Sequence, residues 1–381
     1  MLLPSIVVGL VILIAEHFAP AVIRVGLWTL YGLAALVSLG NLLLMMRPRA
    51  REEGPEIRFL IPARNEAENL AALLPQLVPQ GAVTVFDDES TDATAKIAAA
   101  HGATVLHPSE GLPEGWTGKN RACHELGLSR FPEPYLCFLD ADVRVTPDFS
   151  ARLRSTAREN RVTTAFPTIV HGRFPEPVVL GWVGWSLLAL NPFFLVQLTG
   201  KGHNRFTNGQ IALWPADLYR RLRPNERVRG QILEDVLIGR LLAAERVPVL
   251  TANLASSLST AMYADWRGAY DGMSKNSYEI TGNRWGNAAL AGLLALLGIG
   301  PFLMSDLYGE TLPFERLPET LGAYGLLLVS ALATTRLCRG NLLYAPLFPF
   351  SLLCGAIVLL RSHAWRLLGK TSWKGRVYRT G

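Results

Sequence analysis

The segment Tyr135-Leu136-Cys137-Phe138-Leu139-Asp140-Ala141-Asp142 decides the fold. Five apolar residues run directly into two acids separated by one small residue. A short continuous apolar run of this kind reads as a strand buried on both faces, as in parallel sheets covered by helices. Carboxylates at its carboxyl end stand where such sheets bind ligands. Asp140 and Asp142 can converge on one divalent ion, and oxygen-only ligation suits Mg²⁺ or Mn²⁺ bridged to a diphosphate. A lone D-x-D is often only a solvated turn, so its position after a buried strand carries the argument.

The pattern repeats upstream. Residues 57–61 form a short apolar strand ending at Pro62, and residues 65–77 have helical spacing at Leu70, Leu73, Leu74 and Leu77. Residues 82–86 and 104–106 read as strands, residues 92–100 and 119–128 as helices. Repeated β–α–β alternation predicts an α/β domain with a mainly parallel, Rossmann-like sheet.

The second strand closes on Asp87-Asp88-Glu89-Ser90-Thr91-Asp92. Ser90, Thr91 or Asp92 can cap the next helix. Capping does not explain Asp87 beside Asp88, because adjacent carboxylates repel. Either can accept hydrogen bonds from a nucleotide's base or ribose. Gly115-Trp116-Thr117-Gly118-Lys119-Asn120 is a glycine-punctuated loop opening a helix. Its backbone amides and Lys119 suit a phosphate, although the spacing is not that of a Walker A loop. Glu234-Asp235 opens a later helix. The pair can be dipole compensation, or a general base with its partner.

Other chemistries lack residues. The histidines show no metal-ligand spacing, and neither GxSxG nor HExxH occurs. Cys123, Cys137, Cys338 and Cys354 are far apart and read as reduced, buried thiols.

Half of the 381 residues are hydrophobic and 18% are charged, with a net charge of +6. Mean hydropathy is +0.23 and the pI is about 9.2. These values exclude a disordered chain and fit a catalytic domain attached to membrane helices. Residues 25–46 carry no charge and are followed by Arg47, Arg49 and Arg51, which predicts a crossing with the next segment cytoplasmic. Residues 2–15 read as a shorter first helix, since a signal peptide would need a basic start. Stretches 287–304, 320–335 and 342–360 are also apolar. The loop 305–319 is acidic and the tail from Arg361 is basic. Three full crossings would leave that tail outside, so Pro346 and Pro349 point to a re-entrant or interfacial last stretch. The run 178–198, with Trp182 and Trp185, reads as buried or interfacial rather than crossing. The expected organisation is an anchor over 1–50, a cytoplasmic domain over 51–286, and membrane helices with a cytoplasmic tail over 287–381.

Taken in order, Ile61-Pro62-Ala63-Arg64-Asn65-Glu66, the Asp87–Asp92 element, Asp140-Ala141-Asp142 and Glu234-Asp235 resemble a family 2 glycosyltransferase of GT-A fold, over residues 57–290. Leu112-Pro113-Glu114-Gly115-Trp116-Thr117-Gly118-Lys119, Asn208-Gly209-Gln210 and Trp373-Lys374-Gly375-Arg376 resemble the membrane-bound branch. That branch contains carotenoid (diaponeurosporenoate-type) and hopanoid-associated enzymes, with ceramide glucosyltransferase more distant. The resemblance implies that Pro62, Ala63, Glu66, Asp87 and Asp88 hold the nucleotide, with Lys119 and Asp140 by the uracil or diphosphate. It implies Asp142 with Asp140 at the metal, and Asp235 as catalytic base beside Glu234. Trp116, Gly209, Gln210, Trp266 and Arg267 would face the acceptor or diphosphate. Processive synthases carry Gln-x-x-Arg-Trp after the acidic pair. Here Thr281-Gly282-Asn283-Arg284-Trp285 has Thr instead, which argues against processivity.

The expected activity is inverting transfer of a hexose from a UDP-sugar to a membrane lipid such as a carotenoid or hopanoid, by a multi-pass cell-membrane protein. The basic surplus fits an anionic membrane and a sugar nucleotide, and no nucleic-acid motif is present. The alternatives are a polyprenyl phosphate acceptor, a processive synthase, and an inactive scaffold.

Overall fold

A computed structural model describes the backbone of residues 2–381 apart from 173, 200–205, 232, 262, 264, 278–282, 304–312, 368–371, 374–375 and 378–381. Side chains are described from residue 21 to 365, excluding also 275–276 and 313–316. Thr281 and Gly282, most of the acidic 305–319 loop and the side chains of the Trp373–Arg376 string therefore lie outside the described residues.

Ten strands build the domain: β1 (Ile57–Ala63), β2 (Val83–Asp87), β3 (Thr104–Leu106), β4 (Tyr135–Leu139), β5 (Val143–Val145), β6 (Val162–Phe166), β7 (Thr168–Ile169), β8 (Ile211–Pro215), β9 (Val249–Asn253) and β10 (Leu258–Thr260). Seven form one sheet in the order β3-β2-β1-β4-β8-β6-β9. Only β8 runs antiparallel to its neighbours. The expected mainly parallel α/β sheet is present, and the first four strands fall where the sequence places them.

Two cores sandwich this sheet, and β1 shows why. Phe59, Ile61 and Ala63 enter one core with Leu70, Leu73, Leu74 and Leu77 of the helix Ala67–Leu77, while Leu60 enters the other with Phe86, Leu126 and Trp214. Successive side chains point to opposite faces, so a strand covered on both sides is apolar throughout. A small second sheet, β5-β10-β7, sits beyond the carboxyl end of β4 and fixes Asp142 immediately before β5.

Five helical stretches are long and apolar enough to cross a membrane: Ala21–Leu44, Glu176–Thr199, Arg284–Leu303, Leu317–Leu337 and Leu342–Trp365. The two N-terminal apolar runs are not separate helices. They form one continuous helix, Leu2–Leu44, about 65 Å long at 1.5 Å per residue. Glu16 and His17 do not interrupt it.

The run 178–198 divides into helices Glu176–Leu190 and Phe193–Thr199. Asn41 of the N-terminal helix satisfies the break: its amide donates to Leu188 O and Asn191 O, and its Oδ1 accepts from Phe194 N. Trp182 and Trp185 stand inside the helix bundle rather than on a surface, with Trp185 Nε1 donating to Ser330 Oγ at 2.7 Å.

The last stretch is a hairpin. It leaves the 317–337 helix near Arg339, runs through a 3₁₀ segment Leu342–Leu347, and turns back as helix Phe348–Leu367. Pro349 lies in the first turn, where its missing N–H costs nothing. Pro349 is level with Gly298, about 21 Å along the 284–303 helix. Leu359 is level with Asn287, at that helix's domain end. Arg361 then reaches Asp271, on the domain's helix Trp266–Asn276. Both ends of the hairpin thus lie on the domain side.

The free edge of β9 is tied down. Asn253 N–H donates to Met46 O at 2.8 Å, and Asn253 Nδ2 donates to Leu337 O at 3.1 Å. Gln197 bridges Met46 N and Thr251 O. The sheet edge is covered by the membrane helices' own ends, which blocks edge-to-edge association.

Candidate active site

All the acidic candidates sit on the carboxyl edge of the large sheet or against it. At one end, the turns after β1 and β2 interlock. Asp88 N–H donates to Ala63 O at 2.8 Å, immediately after Pro62, and Arg64 reaches Asp88 O. Asn65 N–H donates to Ser90 Oγ, while its Oδ1 accepts from Thr91 N–H. Glu66 N–H donates to Thr94 Oγ1. Asp92 accepts at the starts of two helices, from Ala67 N–H and Thr94 N–H. Residues after Asp88 are therefore structural. Asp87 and Asp88 are buried at this edge, with His107 Nδ1 3.5 Å from Asp87. That end is polar, with Arg64 3.9 Å from Asp88 and carboxylate oxygens that can accept hydrogen bonds.

At the other end Lys119 organises the carboxylates. Its Nζ lies 2.9 Å from Asp140 Oδ1 and 2.9 Å from Glu234 Oε1. Burial alone would lower its pKa, but the charges of Asp140 and Glu234 outweigh burial and hold it well above the usual lysine value. Glu234 is committed to this ion pair. Asp235 is not: Gly209 N–H donates to its Oδ2 at 3.0 Å and Val236 N–H to its Oδ1 at 2.8 Å. Burial raises the pKa of both Glu234 and Asp235, with Lys119 opposing. The adjacent acids are thus divided between an ion pair and an oriented carboxylate.

Asn208-Gly209-Gln210 links the parts. Gln210 O accepts from Asp140 N–H, and Gly209 lies between Asp235 and Lys119. A Cβ at Gly209 would sit 3.3 Å from both Asp235 Oδ2 and Lys119 Nζ, which explains the glycine. Gln210 Nε2 reaches Thr260 Oγ1 at 3.4 Å.

Asp142 is the least satisfied group. Its Oδ1 is buried without a hydrogen-bond partner, and burial with the neighbouring charge of Asp140 pushes its pKa up to about 6. An orphaned carboxylate beside a second one fits a hard divalent cation. Among the described residues no three His, Cys, Asp or Glu side chains are placed to hold one metal ion together, so the other ligands would be diphosphate or water oxygens.

Two contributors escaped the sequence reading. Asn120 is fully buried, and its Nδ2 lies within 3.2 Å of Thr117 Oγ1, Val228 O, Arg229 O and Gln231 O. Its Oδ1 accepts from Asn225 Nδ2. It locks the Lys119 loop to the segment leading into Glu234. Asn120→Ala is expected to lower stability by about 2–4 kcal/mol, since it orphans several buried groups, and to lower kcat. Paired thermal melts and rate measurements check this. Tyr263 is the second. It packs with the membrane-helix core, and burial together with the charge of Asp142 pushes its hydroxyl up to about 12.

The remaining candidates are more peripheral. Trp116 lies against His124, ring centroids 5.1 Å apart. Thr117 spends its side chain capping the helix Gly118–Leu128, so the expected phosphate cradle is partly closed. Trp266 and Arg267 open the 266–276 helix and meet each other, the guanidinium 5.4 Å from the ring, with no hydrogen bond to the carboxylates among the described residues.

A mainly parallel sheet with acids along its carboxyl edge and a lysine among them is consistent with the GT-A fold. Residues 59–214 match the model described as Glycosyl transferase family 2, and this segment is a family 2 glycosyltransferase domain. The chain is 25% identical over 216 residues to a 4,4'-diaponeurosporenoate glycosyltransferase of Staphylococcus aureus strain bovine RF122 / ET3-1, covering 55% of this chain and 57% of that protein. It is 37% identical over 90 residues to the protein of that name from strain USA300, covering 23% of this chain and 24% of that one. The chain thus spans little more than half the length of the first of these relatives and about a quarter of the second. The mannosyltransferase PcManGT from Pyrobaculum calidifontis, solved in complex with GDP-Man and Mn²⁺, shares the fold. Its TM-score is 0.53 at 14% identity, over 95% of this chain and 99% of that one.

Proposed function

We propose that this protein is a non-processive, inverting transferase that moves a hexose from a UDP-sugar to a hydroxyl or carboxyl of a membrane lipid, such as a carotenoid or hopanoid. The observation that carries the reading is that the acid-bearing domain packs on the apolar helices: Tyr263, within the electrostatic reach of Asp142, packs against the helix core, and Arg361 of the last helix pairs with Asp271 of the domain. An acceptor reacting there can keep its apolar body among the helices. The names of the S. aureus relatives support a carotenoid-type acceptor.

In this reading Asp87 and Asp88 hold the base and ribose. Asp140 and Asp142 hold Mg²⁺ or Mn²⁺, which supplies charge neutralisation for the departing diphosphate. Lys119 adds a fixed positive charge beside the same group. Asp235, aimed by Gly209 and Val236, takes the proton of the acceptor hydroxyl as that oxygen attacks the anomeric carbon. The bond to the diphosphate breaks on the opposite face, so configuration inverts. Glu234 holds Lys119 in place.

The test feeds UDP-glucose to purified membranes with and without Mn²⁺ or Mg²⁺, with GDP-mannose as competing donor, for wild type and Asp235→Asn. Divalent-dependent UDP release and label in a neutral lipid fraction are expected. Label in an acid-labile phospholipid would replace this reading with a polyprenyl phosphate acceptor. No release from any donor would remove the reading altogether.

The hairpin supports a domain and tail on one side, the cytoplasmic one by the arginines after residue 46. A fluorescent reporter fused after residue 381 is expected to fluoresce in the cytoplasm, and a periplasmic alkaline phosphatase fusion at the same point to be silent.

A further inference from the structure

A cavity with an apolar wall and a basic rim lies away from the carboxylates. It has a volume of about 510 Å³ and opens where two apolar helices end, beside Leu43 of the N-terminal helix and Leu337 of the 317–337 helix. Four arginines line it: Arg47, Arg152, Arg336 and Arg339. No carboxylate does. From Asp140 it is three strand spacings across the sheet, roughly 14 Å at the usual separation.

The four cations are not equally occupied. Arg152 is paired with Asp148 at 2.6 Å and also donates to Pro48 O. Arg47 donates to Leu42 O, closing the N-terminal helix. Arg336 and Arg339 are exposed, and their guanidinium groups make no hydrogen bond or ion pair among the described residues. The carbonyl that would most repel an anion, Leu337 O, is already bound by Asn253 Nδ2. Asn253 and Ser256 add polar groups to the wall.

We propose that this cavity holds the phosphate of an anionic phospholipid, with Arg336 and Arg339 as its main partners. Charge complementarity and position argue together. A phosphate fits unpaired guanidinium groups bidentately. The cavity stands at the ends of two membrane-length helices, and Leu43, 71% exposed, offers an apolar surface for the acyl chains. Basic cavities between helix ends at the membrane surface bind lipid headgroups in this way.

The test is native mass spectrometry of the full-length protein in detergent, titrated with phosphatidylglycerol or phosphatidylcholine. Wild type, Arg336→Ala/Arg339→Ala and Arg336→Lys/Arg339→Lys are compared. Wild type is expected to retain one phosphatidylglycerol under activation that strips phosphatidylcholine. The alanine pair is expected to weaken phosphatidylglycerol roughly thirtyfold, at about one kcal/mol per cation. The lysine pair is expected to keep most of the binding. Unchanged melting temperature and basal transfer in the alanine pair show that the fold is intact. Phosphatidylglycerol binding that is indifferent to the alanine pair overturns the proposal. Displacement by millimolar inorganic phosphate also overturns it, because the site then belongs to a soluble anion.

Discussion

Asp235→Asn is expected to lower kcat by about 10²- to 10⁴-fold for a hydroxyl acceptor, with KM for the donor little changed. Asparagine keeps the shape but has one acceptor oxygen, so it removes the base together with one of the two hydrogen bonds from Gly209 N–H and Val236 N–H. The pH profile follows with a definite sign. Transfer needs ionised Asp235, and burial raises its pKa. Rate is therefore lost as pH falls, beginning above the range of an ordinary aspartate. The same variant separates the acceptor classes. A carboxyl acceptor arrives already ionised and has no proton to give, so Asp235→Asn would cost it little. A large loss with a hydroxylated lipid and a small one with a carboxylated lipid would assign the role outright. Equal activity on hydroxylated lipid in wild type and mutant would remove Asp235 from the chemistry.

Lys119→Met is expected to be damaging in a different way. Methionine keeps the length of the side chain and removes the charge between Asp140 and Glu234. Lys119 and Asp140 are half-buried and Glu234 is buried, so deleting the lysine is expected to cost less than breaking a fully buried pair, about 1–3 kcal/mol. Here two carboxylates lose their partner, with Asp142 and Asp235 close by. Melting temperature and kcat are both expected to fall steeply. Millimolar Mn²⁺ is expected to restore part of the melting temperature and little of the rate, since a cation can neutralise the acids without restoring the lysine's position. A variant as stable as wild type without metal would show that Lys119 does not hold the cluster.

The β1 to β4 half of the domain was legible because its residues are locally determined. Two-faced burial makes each strand a continuous apolar run, and the acids stand at the ends of those runs. Leu70, Leu73, Leu74 and Leu77 show the same for a helix: one spacing, one buried face. The other half was harder to read. β8 is antiparallel, and the alternation rule does not reveal it. Asn120 gave no signal because its worth lies in carbonyls more than a hundred residues away. Trp182 and Trp185 fitted either a buried or an interfacial segment, because tryptophan also favours the headgroup level. Their burial depends on Ser330 and Gly355, which only the assembled bundle brings near. The fused N-terminal helix was hidden by Glu16 and His17, whose polarity breaks a hydropathy profile without breaking a helix.

The two hydrogen bonds of Asn253 set an order of assembly during synthesis. Its backbone meets Met46, which emerges early, but its side chain waits for Leu337, which follows by 84 residues. Until the 317–337 helix has been made, the last strand of the catalytic sheet has an unmet amide. A fragment ending near residue 286 keeps the N-terminal helix and the Met46 bond but lacks Leu337, so its β9 edge is expected to be held at one point instead of two.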